Sequence, residues 1–110
     1  MEKGPSTFAQ YWTSEYSLMR HFDEHGAEFG HTDDDQIEEY LNAARKFINN
    51  VNLTNIIRFR AANGSIYKFN KKTLEFAIVS KTGRIVTYFH LEGGERKFWQ
   101  LLVDENGVEI

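Results

Sequence analysis

Four histidines are the residues of this chain best suited to acid–base chemistry. They are His21, His25, His31 and His90. The chain contains no cysteine, which excludes disulfides, thiolate metal sites and cysteine nucleophiles. The sequence also lacks an HExxH pattern, a nucleotide-binding glycine loop and a GxSxG motif. Proton transfer by histidine near neutral pH is therefore the simplest catalysis that the sequence allows.

RNA suits such chemistry because its 2′-hydroxyl is a nucleophile already held beside the phosphorus. An enzyme has to remove one proton, donate another to the leaving oxygen and stabilise the phosphorane, for which Arg or Lys is suited. The net charge is −6 over residues 1–55, +6 over residues 56–100 and −3 over residues 101–110. This asymmetry favours either a polyanion-binding face or electrostatic attraction between the two halves, and the sequence leaves both open.

The organisation of the chain indicates how these groups are positioned. Its 110 residues predict a single domain, with a disordered leader over 1–6, a helical part over 7–54 and an antiparallel sheet over 55–110. No apolar run approaches the roughly 20 residues of a membrane helix, so no membrane anchoring is expected. Helices first and strands afterwards predict an α+β fold, in which two N-terminal helices pack on a four- to five-stranded meander.

Two helices are predicted from apolar residues at three- and four-residue spacing. The first covers residues 7–22, with Ser6 as a cap. The second begins at Thr32 or Asp33 as a cap and carries an apolar stripe from Ile37 to Val51. The acidic residues at its start complement the helix dipole, which explains them without a metal site.

Strands are predicted from Asn55 onwards, where the apolar period changes to two. Asn63-Gly64 is a strong hairpin signal, and Gly93-Gly94 reads as a flexible connection. The predicted strands are 56–60, 66–69, 74–79, 85–91 and, last, 97–103, and a short tail follows Asn106-Gly107.

Several segments, in order, resemble the colicin D-like group of ribonuclease toxins, which belongs with the barnase-EndoU-colicin-RelE-like nucleases. The first is His25-Gly26-Ala27-Glu28-Phe29-Gly30, which follows an aromatic-ending helix. The others are Arg58-Phe59-Arg60, Ile66-Tyr67-Lys68-Phe69-Asn70, Phe76-Ala77-Ile78-Val79 and Ile85-Val86-Thr87-Tyr88-Phe89. The resemblance covers roughly residues 18–100, and it extends to the toxin domains of contact-dependent inhibition systems.

The resemblance implies a metal-independent endoribonuclease without a cofactor, which cleaves tRNA to a 2′,3′-cyclic phosphate and a 5′-hydroxyl. It also implies a cognate immunity protein as partner. The protein would then be a bacterial toxin, delivered as part of a larger protein and acting in the cytoplasm of the target cell. We expect a monomer.

The resemblance also implies site residues. His25 corresponds to the catalytic acid/base, and Thr87 and Phe89 correspond to active-site residues of the penultimate strand. From the basic strands we add Arg58 as a catalytic candidate. The substrate-binding candidates are Arg60, Lys68, Phe89 and Trp99. One departure from the family is that Asp23 and Glu24 occupy positions where the family has Lys close before its His.

Each of these assignments has a structural alternative. His25 can be a surface residue at a helix end, and Trp99 can belong to the core. Arg58, Arg60 and Lys68 can pair with the acidic helices. For the whole chain, the sequence leaves open a catalytically inactive RNA- or protein-binding module of the same fold, and an acidic immunity-type interaction protein.

Overall fold

A computed structural model describes residues 12–50 and 54–110 and shows an α+β fold with helices on both faces of an antiparallel sheet. The helices are α1 (Glu15–His25), α2 (Ile37–Ile48) and α3 (Gly94–Asp104), and 3₁₀ helices cover Gly26–Phe29 and Asp34–Gln36. The strands are β1 (Ile56–Arg60), β2 (Ile66–Asn70), β3 (Glu75–Val79), β4 (Ile85–His90) and β5 (Val108–Glu109).

The sheet has the order β4-β3-β2-β1-β5, and the predicted meander is confirmed for β1 to β4. The turns between these strands follow their side chains. The side-chain oxygen of Asn63 accepts the Ser65 N–H. Gly64 has a φ of 91°, which residues other than glycine rarely adopt. The residues after Asn106-Gly107, predicted to be a tail, instead form β5, in which Val108 pairs with Arg60.

The first helix is shorter at its start than predicted. Trp12 forms a parallel bridge with Ile85, so residues 12–14 are not helical. Ser14 then caps α1, because its side-chain oxygen accepts the Ser17 N–H at 3.0 Å. The helix continues to His25 rather than ending at residue 22. The predicted leader over 1–6, the Ser6 cap and the start of the predicted helix lie outside the described residues.

The second helix is confirmed, but its start differs from the prediction. The side chain of Gln36 accepts the N–H groups of Thr32 and Asp33 at 2.9 and 3.0 Å, so a glutamine at the end of the 3₁₀ turn serves these donors. The apolar stripe is buried at Tyr40, Ala44 and Phe47, as its spacing predicts. It packs with α1 against the β3 and β4 residues Ala77 and Tyr88.

The predicted last strand, 97–103, is wrong, because these residues belong to α3. Phe98 is fully buried, and its ring lies 5.1 Å from that of Phe59 and 5.5 Å from that of Phe69. Leu101 and Leu102 pack against the same cluster, which is the spacing of one helix face. The helix covers the sheet face opposite α1 and α2, so the fold has three α-helices instead of two N-terminal ones.

Within residues 12–50 and 54–110, no helix is long and apolar enough to span a bilayer.

Candidate functional site

A cavity of about 700 Å³ forms a cleft where α1, β4 and α3 meet. The end of α1 and the 3₁₀ turn after it form one wall, the end of β4 forms another, and α3 contributes a side chain from its second turn. We call this cavity the cleft, and its lining residues are His25, Glu28, Phe89, His90, Leu91, Glu92 and Lys97. The cleft combines proton-transfer groups, a cation and an aromatic ring at one site.

Glu28 connects the two histidines of the cleft. Its Oε2 lies 2.7 Å from Nδ1 of His25, and its Oε1 accepts the backbone N–H of His90 at 2.9 Å. The same Oε1 lies 3.8 Å from Nδ1 of His90. Because an ionised carboxylate only accepts hydrogen bonds, Nδ1 of His25 is the donor, and Nε2 is left as the nitrogen that can take up a proton. The side chains of His25, Glu28 and His90 are 25%, 34% and 36% exposed, so solvent and a ligand can reach them.

A glycine allows the chain to bring Glu28 next to His25. Gly26 ends α1 and donates its N–H to the carbonyl of Phe22. A Cβ at this position would lie 2.7 Å from the carbonyl oxygen of His31 and 2.9 Å from the Phe22 ring. The chain can therefore close into the 3₁₀ turn only without a side chain at residue 26, and this turn brings Glu28 within 2.7 Å of His25.

Aromatic rings hold both histidines in place. The ring of His25 lies 4.9 Å from that of Phe89, which in turn stacks on Phe76 at 5.2 Å. The ring of His90 lies 4.3 Å from that of Phe29, which stacks on Tyr88 at 4.5 Å. Each imidazole therefore rests on an aromatic pair, which restricts its orientation.

Two buried tyrosines fix the position of β4 by hydrogen bonds. The Tyr40 hydroxyl donates to the carbonyl oxygen of Tyr88, and the Tyr88 hydroxyl donates to Glu75. Burial, and then the hydrogen bond to Glu75, raise the pKa of Tyr88. Both phenols therefore stay protonated donors, which ties α2 to β4 and β4 to β3.

The structure brings together two of the predicted site residues, His25 and Phe89, in the cleft. Thr87 lies two positions before Phe89 on β4, on the same sheet face, but it is only 7% exposed and does not line the cleft. Its hydroxyl oxygen is buried and has no hydrogen-bond partner among the described residues.

The predicted cations Arg58, Arg60 and Lys68 lie far from the cleft. Arg58 pairs with Lys68 across β1 and β2, and β1 is three strand spacings from β4, or about 14 Å. Lys68 is 6% exposed and donates to the carbonyls of Ile48 and Asn50 at 2.9 and 2.6 Å, where it caps the end of α2. These three residues therefore cannot hold a phosphate next to His25.

Of the three predicted cations, two line a second cavity and one lies on the surface. Arg58 and Lys68 line a cavity of about 180 Å³ below the end of α2. Burial, and then the charge of Arg58, lower the pKa of Lys68 to about 8. Arg60 is exposed at the end of β1.

Trp99 lies on α3 rather than on a strand. Its indole N–H donates to Glu95 at 3.1 Å, and its ring packs against that of Phe98 at 5.3 Å. It does not line the cleft, so it has no stacking role there.

Glu28, His90 and Lys97 are cleft residues that sequence reasoning missed. Glu28 lies within the His25 segment, and its spacing of three residues from His25 was the available signal. His90 alternates away from Thr87 and Phe89 on an ideal strand, but it lies at the strand end, where the cleft reaches both faces. Lys97 was hidden by the incorrect strand prediction for residues 97–103.

The described residues contain no group of three or more His, Cys, Asp or Glu side chains placed to hold a metal ion. His21, four residues before His25, has its Nδ1 2.8 Å from the carbonyl oxygen of Ser17. It lies outside the cleft lining.

The fold matches that of a known ribonuclease. A solved structure of a ribonuclease from Escherichia coli, in complex with its inhibitor protein, superimposes with a TM-score of 0.57 at 12% sequence identity. The match covers 81% of this chain and 97% of that one. No protein-family model matches the sequence, and no curated protein matches it either. The chain therefore shares the fold of that E. coli ribonuclease, whereas no comparison assigns it to the colicin D-like group.

Proposed function

We propose that the protein is an endoribonuclease that cleaves RNA in the cleft by acid–base catalysis, without a metal ion or cofactor in the proton transfers. The observation that carries the proposal is the pairing of His25 and His90 through Glu28, in one cleft of a chain that shares the fold of a ribonuclease. Two imidazoles at one site supply the base and the acid that cleavage through the 2′-hydroxyl needs.

In the proposed reaction, Nε2 of neutral His25 removes the proton of the 2′-hydroxyl, since Glu28 occupies Nδ1. The 2′-oxygen then forms a bond to phosphorus while the bond from phosphorus to the 5′-oxygen breaks. Protonated His90 donates its proton to the leaving 5′-oxygen. The products are a 2′,3′-cyclic phosphate and a 5′-hydroxyl, and the two histidines exchange protons with water before the next turnover.

Phe89 is the proposed stacking surface for a base of the substrate. It lines the cleft, lies against His25 and is supported from behind by Phe76. A base stacked there would lie next to the proton-transfer groups, and stacking is worth about 1–3 kcal/mol per base. Thr87 is assigned a supporting role under Phe89 rather than a contact to phosphate, because it is buried.

The finer proposals rest on the resemblance of the sequence to colicin D-like toxins. They are that the substrate is tRNA, that the domain acts as a toxin delivered into a bacterial target cell, and that a cognate immunity protein inhibits it. The E. coli ribonuclease was solved with an inhibitor protein, which supports the idea of a protein inhibitor in general. We propose that such a partner binds over the cleft.

The test is cleavage of total tRNA and of a mixed-sequence RNA in EDTA, with the cut ends mapped. We expect the wild type to leave 2′,3′-cyclic phosphate ends and His25→Ala and His90→Ala each to lose about 100-fold or more in rate. His21→Ala is the matched control, because His21 is also on α1 but outside the cleft lining. Equal activity in the wild type and His25→Ala would show that the cleft is not the site.

A binding module without catalysis is the second candidate. Asp23 and Glu24 are exposed next to His25, and Glu92 is exposed in the lining of the cleft. These carboxylates repel a phosphate. The same assay separates the two functions, since a pure protein that binds RNA but leaves a broad RNA panel intact would be such a module.

A further inference from the structure

The cleft has one permanent positive charge among its described lining residues, and it comes from α3. Lys97 is exposed there and forms no ion pair with a carboxylate in the described part of the chain. The last turn of α1 contributes Asp23 and Glu24 instead of a cation. An anion that enters the cleft therefore meets the Lys97 ammonium as its only fixed positive partner among the lining residues.

The start of α3 orients Lys97. Gly93 caps the helix with a φ of 92°, and the N–H of Lys97 reaches its carbonyl oxygen at 3.4 Å. A Cβ at Gly93 would lie 2.8 Å from Cβ of Lys97. The backbone at Gly93 therefore packs closely against the aliphatic part of the Lys97 side chain.

The carboxylates of the cleft leave this charge available. Glu28 is occupied by His25 and by the backbone of His90. Glu92 is exposed and lines the cleft without an ion pair to Lys97. Glu92 should therefore oppose the effect of Lys97 on an approaching anion rather than cancel it.

We propose that Lys97 is the phosphate-binding residue of the cleft, so that the RNA backbone is held from the C-terminal helix rather than from the basic strands. The ammonium binds a non-bridging phosphate oxygen while His25 and His90 face the reacting oxygens. This inference rests on the proposed function, because it places the same substrate in the same cleft. It assigns to Lys97 the role that the sequence suggested for Arg58, Arg60 and Lys68.

The test is direct binding of a fully 2′-O-methylated RNA oligonucleotide, which cannot be cleaved, measured by fluorescence anisotropy at several salt concentrations. We expect Lys97→Gln to raise Kd about tenfold and to lower the slope of log Kd against log salt by about 0.7. Lys97→Arg should retain most of the affinity, and Glu92→Gln should increase it. Arg96→Gln is the matched control, since Arg96 is the exposed neighbour on α3 outside the cleft lining, and its Kd should stay within about twofold.

Three results would overturn the inference: no binding by the wild type, equal binding by Lys97→Gln, or an equal loss in Arg96→Gln, which would indicate general surface charge. The probe lacks the reacting hydroxyl, so its result is independent of catalysis. A protein that cuts no RNA but binds the probe through Lys97 would refute the proposed cleavage and support this inference. Cleavage with unchanged binding by Lys97→Gln would do the reverse.

Discussion

Removing the carboxylate of Glu28 should reduce both activity and stability, because one side chain holds a proposed catalytic ring and the end of a strand. The Glu28→Ala change removes the hydrogen bond from Nδ1 of His25 and the one from the backbone N–H of His90. The first loss frees the His25 ring to turn next to Phe89. The second removes the hydrogen bond between the end of β4 and the segment after α1, while the contacts of the Phe29 ring with Tyr88 and His90 remain.

The expected magnitudes follow from the geometry. Hydrogen bonds to charged groups contribute about 1.5–3 kcal/mol when buried, but Glu28 is 34% exposed, so about 1 kcal/mol for each of the two bonds is reasonable. The free energy of unfolding should therefore fall by about 2 kcal/mol. Loss of a group that orients a catalytic residue typically costs about 10- to 100-fold in rate, which we expect for kcat/KM.

The matched variant is Glu28→Gln. Its amide has a single carbonyl oxygen, so it can accept from His25 or from the backbone of His90, but not from both as the carboxylate does. We expect about half the loss in stability and a clear loss in kcat/KM. Chemical denaturation gives the stability, and ¹⁵N NMR of the imidazole at about pH 8 shows whether the Nδ1–H form of His25 gives way to the Nε2–H form.

The reasoning would be refuted by a Glu28→Ala variant that keeps wild-type kcat/KM and the wild-type His25 tautomer. In that case Glu28 would be a surface residue without influence on the histidine. A drop in stability with unchanged activity would leave Glu28 a structural link between α1 and β4 only.

Two further predictions concern the parts of the fold that support the cleft. Phe98→Ala should lower the free energy of unfolding by about 3–5 kcal/mol in urea denaturation, because the fully buried Phe98 ring anchors α3 against Phe59 and Phe69. Burial, and then the charge of Arg58, lower the pKa of Lys68 from 10.5 to about 8, so between these values the folded chain releases a proton that the unfolded chain keeps. The free energy of unfolding of the wild type should therefore rise across this pH range by up to about 3 kcal/mol relative to Lys68→Met. If the free energies of unfolding of the two proteins changed with pH in the same way, the prediction would be wrong.

Most of the fold could be predicted from the sequence wherever one local signal pointed to one structure. The three- and four-residue spacing around Tyr40, Ala44 and Phe47 has only a helical interpretation. Asn63-Gly64 predicts a hairpin because few other residues adopt the required backbone conformation. These signals are confirmed in α2 and in the meander of β1 to β4.

The segment after Gly93 could not be assigned in this way. Phe98, Leu101 and Leu102 fit a helix face, yet the seven residues from Lys97 to Val103 are short and apolar enough to suggest a strand. Gly93 adopts a left-handed φ and caps the start of α3, but in the sequence Gly93-Gly94 looks like a flexible connection. Tertiary packing of Phe98 against the sheet decides between the two, and packing is not visible in the sequence.

Of the seven residues that line the cleft, the sequence predicted two as site residues, and the reason is again what a local signal can show. His25 and Phe89 came from recognisable segments, and they do meet in the cleft. Arg58 and Lys68 looked suitable for phosphate, but the sheet order places Arg58 three strand spacings and Lys68 two strand spacings from β4. Which strand lies next to the cleft depends on the tertiary arrangement.

The cleft is assembled from three short stretches of chain, residues 25–28, 89–92 and 97, and the long region between the first two, which holds α2 and the hairpins of β1 to β3, contributes no side chain to its described lining. Sequence drift in the hairpins of β1 to β3 can therefore replace many residues without altering the composition of the cleft, provided that each strand keeps its apolar face. Sequence identity is counted along the whole chain, and these interchangeable positions outnumber the residues that line the cleft. A fold shared at 12% identity is a natural outcome of such an arrangement. Relatives of this chain would be recognised more readily by the spacing of the three stretches than by overall similarity.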